Sequence, residues 1–141
     1  MMFELHPRLA QDGLPLGRFP LCRLLLMNER RYPWFILVPE RPGIAEIHQL
    51  PDADQIRLIR ESSVLGGALA AAFAADKLNI AALGNLVPQL HVHHVVRYRH
   101  DPAWPAPVWG RFEPWAYDAA GLAAVRERLA GMALPDFVPW S

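Results

Sequence analysis

The chain has one cysteine, Cys22, so no internal disulfide can form and no thiolate cluster can hold a metal. It has no excess of either charge: 14 Lys+Arg offset 14 Asp+Glu, which denies it the broad basic footprint that duplex nucleic acid requires. It also has no uninterrupted apolar run long enough to span a bilayer. The longest such stretch, LGGALAAAFAA, reads as a helix interior, and the start MMFELHPRLAQDG is too polar for a signal peptide. The expectation is a protein of the cytoplasm, with no membrane or nucleic-acid partner. No internal repeat or linker divides the 141 residues, which suits a single domain over 1–141.

Apolar residues are plentiful at 52%, enough for a sizeable core. Prolines are frequent too. They gather after Asp101 and at the extreme C-terminus, where irregular loops and extended arms are expected. FPLCRLLLMN (19–28) and WFILVPE (34–40) read as two strands joined in a hairpin. A connection with one helical turn leads to a long helix, capped by Asp52 or Asp54 and running to about Ala75. Ile56, Ile59, Leu65, Leu69 and Phe73 recur near helical spacing, placing Arg57, Arg60 and Glu61 outside. Gly66-Gly67 weakens this helix but permits close approach to a sheet. Residues 79–83 and 89–98 read as further strands around a Gly84-Asn85 turn, and 118–132 as a second helix. The fold class is α+β, a mostly antiparallel sheet with the helices packed on one side.

Four of the six histidines fall in QLHVHHVVRYRH, residues 89–100. Alternation along a strand puts Gln89, His91 and His93 on one face and His94 on the other, with His100 past the strand end. Three polar groups in a row on one face suit a shared site. Buried without partners, each would cost on the order of 1–3 kcal/mol. One reading is a wetted strand face. A second is a metal site, weakened because no Asp, Glu or Cys follows on that face and Arg97 would oppose a cation. A third is phosphoryl chemistry. An imidazole is nucleophilic at neutral pH when its other nitrogen is held as a donor, and His93, Gln89 and Arg97 could neutralise phosphate oxygens. Spacing alone leaves the reaction open.

The order Gln89-Leu90-His91-Val92-His93-His94-Val95 resembles the signature of the histidine-triad (HIT) family, H-x-H-x-H followed by two apolar residues, with Gln at the first position. Gly84 stands five residues before the motif and Asn79 in the preceding strand. Leu26-Met27-Asn28 followed by WFILVP resembles the family's first hairpin. The resemblance covers about 16–98, leaving the Pro/Trp-rich tail and C-terminal helix (101–141) undiagnostic.

The resemblance implies a HIT-like fold and a homodimer that binds a purine nucleotide or nucleotide conjugate, with no cofactor and no metal. It implies His91 as nucleophile at the α-phosphate, giving a nucleotidyl-histidine, with His93 and Gln89 as supporting catalytic residues. Asn28, Asn79, Gly84, Asn85 and Arg97 are the candidate nucleotide-binding residues, Asn28 at the ribose. Gln89 cannot become a cation. Leu86 stands where phosphoramidate-cleaving relatives carry a serine. Those two departures keep a nucleotide-binding module without catalysis as the alternative. Trp104, Trp109 and Trp115 either stack on a base or anchor the tail, Arg30 and Arg31 read as solvated, and Cys22 reads as buried filling.

Overall fold

A computed structural model describes residues 1–140. Six antiparallel strands form one sheet in the order β4-β5-β3-β2-β1-β6. In chain order the elements are α1 (Pro7–Asp12), β1 (Gly13–Arg18), β2 (Cys22–Met27), β3 (Trp34–Pro39), α2 (Asp52–Phe73), β4 (Lys77–Ala81), β5 (Val92–Arg97), α3 (Ala119–Ala130) and β6 (Val138–Pro139). A single 3-10 turn, Ile47–Gln49, interrupts the connection before α2. The expected hairpin is β2–β3, with Leu24 opposite Leu37 and Leu26 opposite Phe35.

The pleat divides the sheet's side chains into two cores. Leu24, Leu26, Phe35, Leu37, Val92 and Val96 face α2 and α3, where Leu58, Leu65, Leu69, Val125 and Leu129 cover them. Leu25, Trp34, Ile36, Val38 and Val95 face the other way, against Leu9 of α1 and against Ala103 and Val108 of the tail. The two longer helices, α2 and α3, therefore cover one face, while the short α1 and irregular chain cover the other, which corrects the expectation of all helices on one side. Among the described residues no helix is long and apolar enough to cross a membrane.

Several local expectations are corrected. Neither α1 nor β1 was expected, and both precede the hairpin. Pro51, not an aspartate, is the N-cap of α2. Asp52 and Asp54 sit in its first turn, where negative charge suits the helix dipole, and Asp54 pairs with Arg41. The exposed side of α2 carries Ile56 and Ile59, at 65% and 62% exposure, whereas Glu61 is buried. The Glu61 carboxylate accepts the amides of Leu21 and Cys22 at 2.9 Å each, closing the bend before β2. Beside it, burial and the Glu61 charge raise the pKa of the Cys22 thiol, so Cys22 is inert filling. A Cβ on Gly66 would make an ordinary contact with the Leu78 side chain at 3.4 Å and one on Gly67 would meet nothing, so neither glycine is required for close approach to the sheet.

Candidate active site

His93 is the second residue of β5, opposite Ile36 on one side and Ala81 on the other. His91 lies one residue before β5 begins. Both are buried, and their rings meet edge to face at 4.9 Å between centroids. Their hydrogen bonds assign the two tautomers. His91 Nδ1 lies 2.7 Å from the Gln89 carbonyl, which can only accept, so Nδ1 carries the proton and Nε2 keeps a lone pair. Trp34 Nε1 can only donate, and it does so to His93 Nδ1 at 3.0 Å, so His93 carries its proton on Nε2. One imidazole is thus held as a nucleophile or base and its neighbour as a neutral donor. Burial, with the neighbouring His91 and His94 charges adding to it, lowers the His93 pKa to about 3.

These rings open on a cleft of about 390 Å³ on the sheet face opposite α2 and α3. Tyr32 and Trp34 line it from the sheet, and the turn from Gly84 to Val87 lines one side. Gly84 adopts φ +70°, the left-handed region that favours glycine, and lets the backbone bend next to the histidines. The tail supplies Val108, Trp109 and Phe112. Trp109 lies edge-on to His93 at 5.4 Å and to Trp34 at 5.9 Å, so one tryptophan both anchors the tail and walls the site. Tyr32 Oη and Trp109 Nε1 are buried in this wall and find no hydrogen-bond partner among the described residues.

Not all the expected residues come together here. His91, His93, Gly84 and Asn85 do. Arg97 shares a sheet face with His93, but it is 1% exposed and fully engaged. Its guanidinium donates to Asp101 at 2.8 and 3.0 Å, to Asn79 Oδ1 at 2.7 Å and to the Ala106 carbonyl at 2.8 Å. Asn79 and Arg97 are therefore a structural pair behind the site. For Asp101 burial opposes ionisation, yet the Arg97 hydrogen bonds and the amides of Tyr98 and Ala103 outweigh it and lower its pKa. Asn28 accepts the Tyr117 amide at 2.9 Å and does not line the cleft.

Gln89 precedes the regular strand, so alternation does not govern its side chain. That carboxamide accepts the His6 amide and donates to the Glu4 carbonyl, both at 2.8 Å. Arg30 and Arg31 are not simply solvated. Arg30 stacks on Trp115 and donates to the Ala116 carbonyl, and Arg31 pairs with buried Glu29. Trp104 lies beside the Arg97 guanidinium, where it anchors the tail. Arg8, Asp12 and Glu29 line the cleft and carry no motif that would mark them in the sequence.

His94 lies on the face away from His93, as expected, and that face is the one that α2 covers. Its Nδ1 donates to the Val92 carbonyl at 3.1 Å, and the Ser62 hydroxyl donates to its Nε2 at 2.7 Å. His100 stacks on Tyr98. Burial lowers the His94 pKa to about 4, against a small opposing effect of its backbone hydrogen bond. An unfolded histidine titrates near 6.5, so between that pH and the folded values the unfolded chain binds more protons. Stability is complete above pH 6.5 and is lost as pH falls, by about 1.4 kcal/mol per pH unit for each ring. Urea unfolding at pH 7.5 and pH 5 is expected to differ by about 4 kcal/mol from His93 and His94 together. Equal midpoints would show that neither ring is held neutral by the fold, and about half the difference would show that only one of them is.

An antiparallel sheet with a long crossing helix, and with paired histidines at one strand's entry beside a glycine turn, is a histidine-triad-like fold. The HIT domain profile matches residues 10–100, and the chain belongs to that family. It is similar to three solved histidine triad proteins. One, from Marinobacter aquaeolei VT8, is 53% identical with a TM-score of 0.90, covering 92% of this chain and 94% of its own. One from Bradyrhizobium japonicum is 45% identical with a TM-score of 0.90, covering 92% and 97%. The third, from Sinorhizobium meliloti 1021, is 43% identical with a TM-score of 0.89, covering 91% and 95%. No curated protein matches the chain.

Proposed function

We propose that the protein is a nucleotide hydrolase or nucleotidyl transferase that acts at an α-phosphate through His91. The observation that carries this reading is the bond from His91 Nδ1 to the Gln89 carbonyl, which leaves Nε2 free to attack. In the step, the Nε2 lone pair forms an N–P bond as the bond from phosphorus to the leaving oxygen breaks. The positive charge that develops on the imidazole is stabilised by the carbonyl that accepts its Nδ1 proton. His93 Nε2–H, neutral and fixed by Trp34, donates to a phosphate oxygen. Water or another acceptor then attacks phosphorus and returns His91 to its starting state.

The apolar walls at Met27, Val108 and Trp109 suit a purine base. Leu86, 84% exposed at the cleft rim, has no proton to give a departing group, which favours a phosphate over an amine as leaving group. A homodimer forms part of this reading. Its support is the outer strand β4, with Ile80 half-exposed, and the exposed Ile56 and Ile59 of α2.

A binding module is the second reading, favoured by the engagement of Gln89 outside the cleft. The deciding experiment is intact-mass spectrometry after brief mixing with dinucleoside polyphosphates, nucleotide sugars and nucleoside phosphoramidates. An acid-labile nucleotidyl adduct, absent from His91→Ala, is the expected result. Mononucleotide binding with neither adduct nor product from any member would establish the binding module.

A further inference from the structure

We propose that Arg8 is a substrate-phosphate ligand and that Gln89 is the clasp that brings it to the site. The inference rests on the phosphate-handling role of His91 and extends it to a segment outside the triad.

Arg8 is the one lysine or arginine among the residues lining the histidine cleft. Its Nε donates to Asp12 at 2.8 Å, and its terminal nitrogens make no hydrogen bond among the described residues. The pair is exposed on the rim, so Arg8 can turn from Asp12 to a phosphate at little cost. The other carboxylate of the lining, Glu29, is already neutralised by Arg31. A phosphate beside His91 would therefore meet the two imidazoles and the Arg8 guanidinium. A guanidinium fork fits phosphate oxygens pairwise.

What holds Arg8 there is not its own contact but the segment before it. The Gln89 carboxamide accepts from the His6 amide and donates to the Glu4 carbonyl, as a neighbouring strand's peptide group would. His6 then caps α1, its Nδ1 accepting the Arg8 amide at 3.0 Å, and Leu9 buries itself in the core under the cleft. At the far end of α1, the Asp12 carbonyl accepts the Asn28 amide. An imidazole at position 89 presents its donor and acceptor on separate edges of a ring, and so cannot pair with both groups of that segment. Glutamine at the first triad position thus exchanges one possible cation for another, delivered by the N-terminal helix.

The test is calorimetric titration of the full chain with the common nucleoside monophosphates and the matching unphosphorylated nucleosides. Arg8→Ala is expected to weaken monophosphate binding by at least about tenfold and to leave nucleoside binding unchanged. Arg8→Lys should recover part of the loss. Gln89→Ala should reproduce the split without touching Arg8, since the His91 contact is to the residue 89 backbone. Arg8 is an exposed side chain, so its variants should keep the wild-type thermal midpoint. Equal monophosphate affinity in wild type and Arg8→Ala would overturn the assignment of Arg8 alone. A Gln89→Ala protein that binds monophosphates as wild type does would overturn the clasp. Wild type that binds neither ligand set would remove the nucleotide reading itself, and Arg8's role with it.

Discussion

His91→Ala is expected to lower turnover by at least about a thousandfold while leaving monophosphate affinity within roughly threefold of wild type. The reason is that a nucleophile's contribution appears only as its bond to phosphorus forms. His91 contacts the Gln89 carbonyl and the edge of His93, and nothing in the wall depends on its ring for a hydrogen bond. Its removal should therefore shift the thermal midpoint little. His93→Ala gives the contrast. It also removes the donor to phosphate, but it strands the buried Trp34 Nε1–H, at a cost of about 1–3 kcal/mol. Steady-state kinetics alongside thermal unfolding of both variants separates the two histidines. If His91→Ala kept turnover within tenfold of wild type, covalent catalysis at this ring would be untenable.

The residues legible in the sequence were those whose role follows from local spacing. The His91–His93 pair, the β2–β3 hairpin and the long helix each announce themselves within a few residues of their own position, and each is where it was expected. Two-residue alternation also put His94 on the face away from His93, which is the face that α2 covers. The same rule assigned Arg97 its sheet face but could not say what waits there. The partner that fixes it, Asp101, comes after the strand, in a loop with no period.

Helical periodicity failed on α2 for a similar reason. Ile56, Ile59 and Glu61 obey a pattern that takes apolar side chains as inward. The bend at Leu21 and Cys22 has two free amides, and these draw the Glu61 carboxylate in. The N-terminal segment that carries Arg8 lay furthest from reach. Its Glu4 and His6 meet Gln89 through contacts spanning more than eighty residues, between a segment with no apolar repeat and a side chain just outside the strand. A resemblance to a motif with histidine at position 89 suggests what that position has lost, and only the fold suggests what replaced it.

Replacing Arg97 by Met is expected to cost about 3–5 kcal/mol of stability, more than any other single change considered above. The side chains of Arg97 and Asp101 are 1% and 3% exposed, so water cannot take over for either one. Losing the guanidinium leaves the Asp101 carboxylate buried with backbone amides alone, and frees the Ala106 carbonyl and Asn79 Oδ1 of their donor. For a chain of this length the thermal midpoint should fall by about 10–15 °C. The loop from Asp101 to Val108 carries one wall of the cleft, so nucleotide affinity should fall with it. A double variant, Arg97→Met with Asp101→Asn, should regain part of the loss, because asparagine carries no buried charge and its one carboxamide oxygen can still accept the amides of Ala103 and Trp104, at the expense of the Tyr98 amide. Differential scanning calorimetry of the three proteins gives the cycle. A double variant as unstable as, or less stable than, Arg97→Met would mean that the buried charge is not what the single substitution exposes. A single variant with the wild-type midpoint would mean that Arg97 is free to act in the cleft after all.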